Sequence, residues 1–378
     1  MNRIILIGNG FDLAHGLKTS YADFIDWYWG EWGKRLLHSD NKIEQDRFCS
    51  FKLSKATNLN MWYMAWQGYY YKKSNPFLPW DVHEVVNIAK QDAKLCEFKI
   101  KDFFFEEICK SVETKGWVDI ENLYYVYLSH KNQNYISPKD ANNDLEIIRE
   151  KLIEYLSGVQ KEISDDMVKD KLKAWMIESF KESDISHEGL NQGNIKMEFL
   201  QAKMKKTRFS PERILMLNFN YTTLADLYLP KSCIHIHGEL SNPKSVIFGY
   251  GDELDADYKK LSEKNDNEYL RNIKSIKYLE SPNYRNLLGF IEASPYQVYI
   301  MGHSCGNSDR TLLNTLFEHR NCYSIKPFYY IKEDGTDNFI ELAQNISRNF
   351  TDMKLMRDRV VNKTFCEPYS DAREPAGT

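Results

Sequence analysis

Ile4-Ile5-Leu6-Ile7 is an unbroken apolar run that stops at a glycine, the pattern of a strand buried on both faces of a parallel sheet. Tyr21, Phe24, Ile25, Tyr28 and Trp32 then recur at helical spacing and predict a helix with one apolar face. From about residue 33 to 205 strand-like runs are scarce, and charged–apolar patterns of helical period prevail. Between Asp144 and Ile163 the positions Leu145, Ile148, Leu152, Tyr155 and Leu156 form one stripe, and Leu172–Phe180 reads as a further helix. Asn132–Asn143 is polar, contains Pro138 and reads as a loop. After Pro211 short apolar runs return, at Arg213–Leu217, Cys233–Ile236, Val246–Phe248, Gln297–Met301 and Phe328–Ile331. Helical patterns at Thr222–Tyr228, Thr311–Phe317 and Asn338–Phe350 lie between or after them. Strands alternating with helices imply a parallel sheet covered on both faces. The expected fold is therefore α/β, a Rossmann-like parallel sheet with a large helical insertion after the first strand and helix. The sheet domain would be discontinuous, residues 1–32 plus 211–361, with the insertion at 33–205 and a loose tail at 362–378.

Composition narrows the class. Of 378 residues, 42% are hydrophobic and 28% charged, as in folded water-exposed proteins, and the formal net charge is -4. A general nucleic-acid binder carries a basic excess, so nucleic acid is disfavoured as a partner. The single basic run, Lys203, Lys205, Lys206 and Arg208, reads as a solvated linker. Seven cysteines without a C-x-x-C pair argue against a disulfide framework and against a four-cysteine zinc site. No zinc is expected, and reduced thiols point to the cytoplasm. No stretch approaches the roughly 20 apolar residues of a membrane helix, and the apolar start is too short for a signal segment. Aromatic residues crowd between Tyr21 and Tyr127, with Trp62, Trp66, Tyr69, Tyr70 and Tyr71 close together. They mark either a local core or a surface for self-association, a homo-oligomer formed through the insertion.

Four loops carry candidate chemistry. Gly8-Asn9-Gly10-Phe11-Asp12 follows the first strand, and two glycines there allow a tight turn and close approach to a phosphate. The dehydrogenase fingerprint needs a further glycine where Leu13 stands, so hydride transfer is not the expected reaction. Asn218-Phe219-Asn220-Tyr221-Thr222 follows the strand at Arg213–Leu217, where ligands sit in parallel sheets. In His235-Ile236-His237-Gly238, strand alternation places both histidines on one face. His237, at the strand end, suits general-base work near neutral pH, and a metal pair of the H-x-H kind is the alternative. Gly302-His303-Ser304-Cys305-Gly306 spells a nucleophile elbow, yet His319 is the sole downstream histidine and sits in a predicted helix. A small-residue loop touching a nucleotide, with Asp309 capping the next helix, fits better.

The order of these loops resembles the sirtuin-like NAD-binding superfamily. Their spellings resemble its AbiH branch, named for bacteriophage abortive infection: Leu6-Ile-Gly-Asn-Gly-Phe-Asp-Leu-Ala-His-Gly-Leu, Trp117-Val-Asp-Ile-Glu, Ile247-Phe-Gly-Tyr-Gly-Asp-Glu and Gly302-His-Ser. The resemblance implies an anti-phage protein, set off by a phage-derived trigger, that takes NAD as substrate and hydrolyses it to nicotinamide and ADP-ribose. It implies His237 and Asn220 as catalytic residues. It places Gly8, Asn9, Gly10, Asp12, Tyr221, Gly238, Gly302, His303 and Ser304 around the nucleotide. A non-catalytic NAD or ADP-ribose sensor is the alternative, and a nucleic-acid-acting toxin the third. Thr222 stands where many relatives carry aspartate.

Overall fold

The computed structural model describes residues 1–38, 43–53, 96–115, 119–129, 137–191, 195–251, 253–254, 256–332 and 334–369. Two compact units emerge: Met1–Thr19 with Tyr124–Lys131 and Ser137–Thr378, and Ser20–Leu123 with Asn132–Ile136.

The first unit is built on five parallel strands, β1 (Asn2–Ile7), β5 (Ile214–Asn218), β6 (Cys233–His235), β7 (Tyr296–Met301) and β8 (Cys322–Pro327), in the spatial order β6-β5-β1-β7-β8. The chain steps outward from β1 to β5 and β6. It then returns to the other side of β1 for β7 and β8. That reversal makes the gap between the ends of β1 and β7 a topological switch point, where parallel sheets bind ligands. Register fixes which side chains share a face. Ile4 pairs with Leu215 and Val298, and Leu6 with Leu217 and Ile300. These residues pack with Leu287, Leu313, Leu316 and Ile346 from the helices Asn283–Ala293, Arg310–Phe317 and Phe339–Arg348. Each such buried side chain contributes about 1.5–3 kcal/mol of apolar transfer.

The opposite face is charged towards β8. Arg3 donates to Met176 O, Glu178 O and Gln297 Oε1, and its guanidinium lies 4.1 Å from the Tyr299 ring centroid. Lys326, fully buried, pairs with Asp184 at 3.2 Å and Glu367 at 2.8 Å. Breaking a pair of this kind from one side costs about 3–5 kcal/mol, because the other charge stays buried.

Several expectations are corrected. Val246–Phe248 is extended but joins no strand; Ile247 N–H bonds to His237 O instead. The last strand is Cys322–Pro327, not Phe328–Ile331, which runs beyond the sheet edge through isolated bridges at Tyr329 and Ile331. Thr222–Tyr228 holds a 3-10 turn at Leu224–Leu227 rather than an α-helix. Pro138 starts the helix Pro138–Val159 instead of lying in a loop, and the Ser137 side chain caps it by accepting from Asp140 N–H. Described residues 362–369 are not loose: Lys363–Phe365 forms a turn, and Tyr369 is buried and donates its N–H to Tyr329 O.

The second unit is not purely helical. It contains an antiparallel sheet of β2 (Ile43–Gln45), β3 (Cys49–Leu53) and β4 (Cys96–Ile100), with Phe51 opposite Phe98. Trp29 and Trp32 of the helix Tyr21–His38 pack on Phe98 at 6.0 and 5.9 Å, and Phe48 stacks on Phe105 at 4.7 Å. Much of the aromatic crowding is thus a local core. Trp62, Trp66, Tyr69, Tyr70 and Tyr71 lie outside the described residues, as do Trp117 and Val118 of the Trp117–Glu121 motif. No helix among the described residues is long and apolar enough to cross a membrane.

Candidate functional site

The loops after β1, β5, β6 and β7 meet at the carboxyl edge of the sheet. The β1 and β7 loops touch through their glycines. Gly10 N–H donates to Gly302 O at 2.8 Å, and Phe11 N–H closes back on Gly8 O at 2.8 Å. A Cβ on Gly8 would stand 2.4 Å from His303 Cα, and one on Gly302 would stand 2.1 Å from Phe11 N. Gly302 also has φ +74, a left-handed conformation that side chains disfavour. These glycines therefore serve the contact between the two loops. Asn9 is exposed, and its Oδ1 accepts from the Thr19 hydroxyl.

Asp12 ties the first loop to the second. It is buried and accepts from Asn220 Nδ2 at 2.8 Å and from the Thr222 hydroxyl at 2.5 Å. Asn220 Nδ2 also donates to Gly8 O, so only its Oδ1 is left for a ligand. Thr222 supplies a donor where a second carboxylate would repel the first. Burial pushes Asp12 up to about 6 against the lowering effect of Thr222 and Asn220. A carboxyl raised above its unfolded value of 3.8 contributes stability that is full in acid and lost as the pH climbs through about 6. Asp12→Asn removes the charge and keeps the shape. Its melting temperature should match wild type near pH 3.5, below the unfolded value, and exceed it by about 3 °C at pH 8. Melting curves at the two pH values check this, and an equal gap at both would show that Asp12 does not titrate in this range.

His235 and His237 share a face but not partners. Asn218 Nδ2 donates to Thr222 O and lies 3.3 Å from His235 Nδ1, while Asn218 Oδ1 accepts from Asn220 N–H. This fixes His235 Nδ1 as acceptor and puts the proton on Nε2, which donates to Asp226 at 3.0 Å. Asp226, Cys233 and His235 are close enough to hold a metal. His237 is not among them. The H-x-H pairing therefore has no shared point of ligation.

His237 is buried, with Nε2 3.1 Å from Asp309 Oδ1 and 3.3 Å from Tyr278 Oη. Phe219 meets its ring edge-on at 5.3 Å. Burial first, then the charge of Lys274, lower its pKa, so it is neutral at physiological pH. Gly238 takes φ +82 with Ser245 O where a Cβ would go, which accounts for glycine after the histidine. Tyr221 donates its hydroxyl to Ile247 O, with its ring 6.5 Å from that of His237.

His303 is buried and Ser304 exposed. Ser304 has no triad. His319 stacks on Tyr296 at the start of β7 and pairs with Glu292, while Ser304 follows the end of that six-residue strand, roughly 20 Å away. Asp309 stands at the N-cap of the helix Arg310–Phe317 but makes no side-chain cap, a further correction. Its carboxylate turns to Lys274 Nζ, 2.9 Å away and itself buried. Sequence reasoning missed Lys274 and Tyr278, which no motif marks.

Fold and loops together define a Rossmann-like α/β protein whose candidate ligand site lies at the sheet's switch point. A family model described as Bacteriophage abortive infection AbiH matches residues 4–330. The chain belongs to the AbiH family and is a phage abortive-infection defence protein. No curated protein and no solved structure gives a significant match.

Proposed function

We propose that the protein defends its host by cleaving the nicotinamide–ribose bond of NAD, the chemistry of the sirtuin-like superfamily. The observation that carries this reading is His237, neutral and buried at the carboxyl edge, among the loops of a switch point with strand order β6-β5-β1-β7-β8. Departure of nicotinamide leaves an oxocarbenium-like ribose, and His237 takes the proton from the attacking water or a ribose hydroxyl. Asn220 orients the attacking group through its remaining Oδ1 and holds Asp12 and the first loop in place. Gly8, Asn9 and Gly10 face the phosphates, with Gly302, His303 and Ser304 on the adenosine side. Because Gly10 N–H is committed to Gly302 O, nucleotide entry requires those two loops to part.

That commitment favours one second reading, a sensor that binds NAD or ADP-ribose without cleaving it. Cellular NAD separates the two. In infected cells the pool should fall about tenfold or more with the wild-type gene and hold with a His237→Ala gene. A stable pool in protected cells would rule out hydrolysis.

A further inference from the structure

We infer that Asp309 is the positioning residue for His237, fixing the imidazole with its proton on Nε2 and its lone pair on Nδ1, and that Lys274 keeps Asp309 ionised for this task. The inference rests on the reading that His237 acts as the base. Asp309 belongs to no motif and occupies an N-cap position whose usual bond it does not make. Forgoing a cap is unfavourable, so the carboxylate is held elsewhere by stronger partners.

Those partners come from three elements. Lys274 begins the short helix Lys274–Lys277 and lies 2.9 Å from Asp309 Oδ1. His237, at the end of β6, places Nε2 3.1 Å from the same oxygen. His303, in the β7 loop, brings Nε2 to 3.7 Å from Oδ2. Its own tautomer is set by the backbone, because Cys305 N–H donates to His303 Nδ1 at 3.0 Å and forces the proton onto Nε2. Asp309 thus faces one ammonium and two imidazole N–H groups. Burial alone would raise its pKa, but Lys274 and then His237 hold it well below the carboxylate range.

An ionised carboxylate only accepts hydrogen bonds. The His237 nitrogen beside it must therefore carry a proton, which leaves the lone pair on Nδ1. Among the described residues Nδ1 has no partner. A base needs a free lone pair at a known position and a partner that steadies the imidazolium formed when a proton is taken. The same Asp–His logic serves hydrolytic triads. Lys274 keeps this dyad from storing a proton: its charge lowers the His237 pKa while Asp309 opposes it. The groups facing His237 are thus Asp309, Lys274, His303 and Tyr278, with Phe219 edge-on.

The test is the tautomer, read by long-range proton–nitrogen correlation on protein labelled with nitrogen-15 at histidine. His237 is assigned by the signal lost in His237→Ala. Wild type should show His237 with its proton on Nε2 at pH 7.5. In Asp309→Asn, Lys274 claims the amide oxygen and the amide N–H turns to His237, so the proton should move to Nδ1. Phage protection should fall by up to about 100-fold, no further than in His237→Ala, with the fold retained. An unchanged tautomer in Asp309→Asn would overturn the inference. If that variant does not fold, Lys274→Met reads the same coupling: the His237 pKa should rise by about one unit or more, and an unmoved pKa would refute it. The tautomer is measured without substrate, so absence of NAD cleavage by wild type would sink the proposed reaction and leave this result standing on its own.

Discussion

Gly302→Ala should lose about 3–5 kcal/mol of stability, the largest effect expected of a single methyl group in this protein. Two costs add. The residue holds φ +74, where a side chain costs about 1–2 kcal/mol. The new Cβ would then stand 2.1 Å from Phe11 N and 2.6 Å from Gly10 C, atoms of a backbone fixed by the Gly10–Gly302 bond. Relief would require the β1 and β7 loops to separate, which opens the site as well as the core beneath it. Melting should drop by roughly 6–10 °C. Gly289→Ala is the matched control. It lies exposed in the helix Asn283–Ala293 with nothing within 4 Å of a built Cβ, and should gain about 0.5–1 kcal/mol. A Gly302→Ala protein that melts like wild type would mean the loops are not held as described.

His237→Ala should lower turnover about 100-fold or more, equivalent to about 2.7 kcal/mol of transition-state stabilisation. Binding of the nucleotide should largely survive, because the loops proposed to face the phosphates are untouched. His235→Ala is the contrasting variant. Its ring serves Asn218 and Asp226, so removing it strands a buried amide and should cost about 1–3 kcal/mol of stability with chemistry retained. The split between the two histidines matters more than either loss alone. Equal effects on turnover would return attention to the pair as a joint site.

How much of this was legible depended on whether a signal was local. The strands β1, β5 and β7 announce themselves as apolar runs ending in glycine or asparagine, and β6 as one ending in His237-Gly238, so the four loops and His237 could be read in order. β8 could not. Cys-Tyr-Ser-Ile-Lys-Pro carries a lysine and a proline, and it is a buried strand because Asp184 and Glu367, distant in sequence, neutralise Lys326. Val246–Phe248 misled in the opposite sense: it is apolar because its side chains are buried, not because it pairs in the sheet. At the site, Asp309 looked like a helix cap, since sequence shows the position but not where the carboxylate turns. Lys274 and Tyr278 arrive through a crossover segment without any pattern. The strands β2–β4 alternate apolar and polar residues over three to five positions each, too short to stand out among helical periods.

The most direct measurement is free nicotinamide released from NAD by protein purified from phage-infected cells, with wild type beside His237→Ala and NAD binding followed in both. The account predicts steady release by wild type, at least about 100-fold less by the variant, and similar binding by the two. Full release by a folded His237→Ala protein, or no release by wild type that binds NAD, would contradict it.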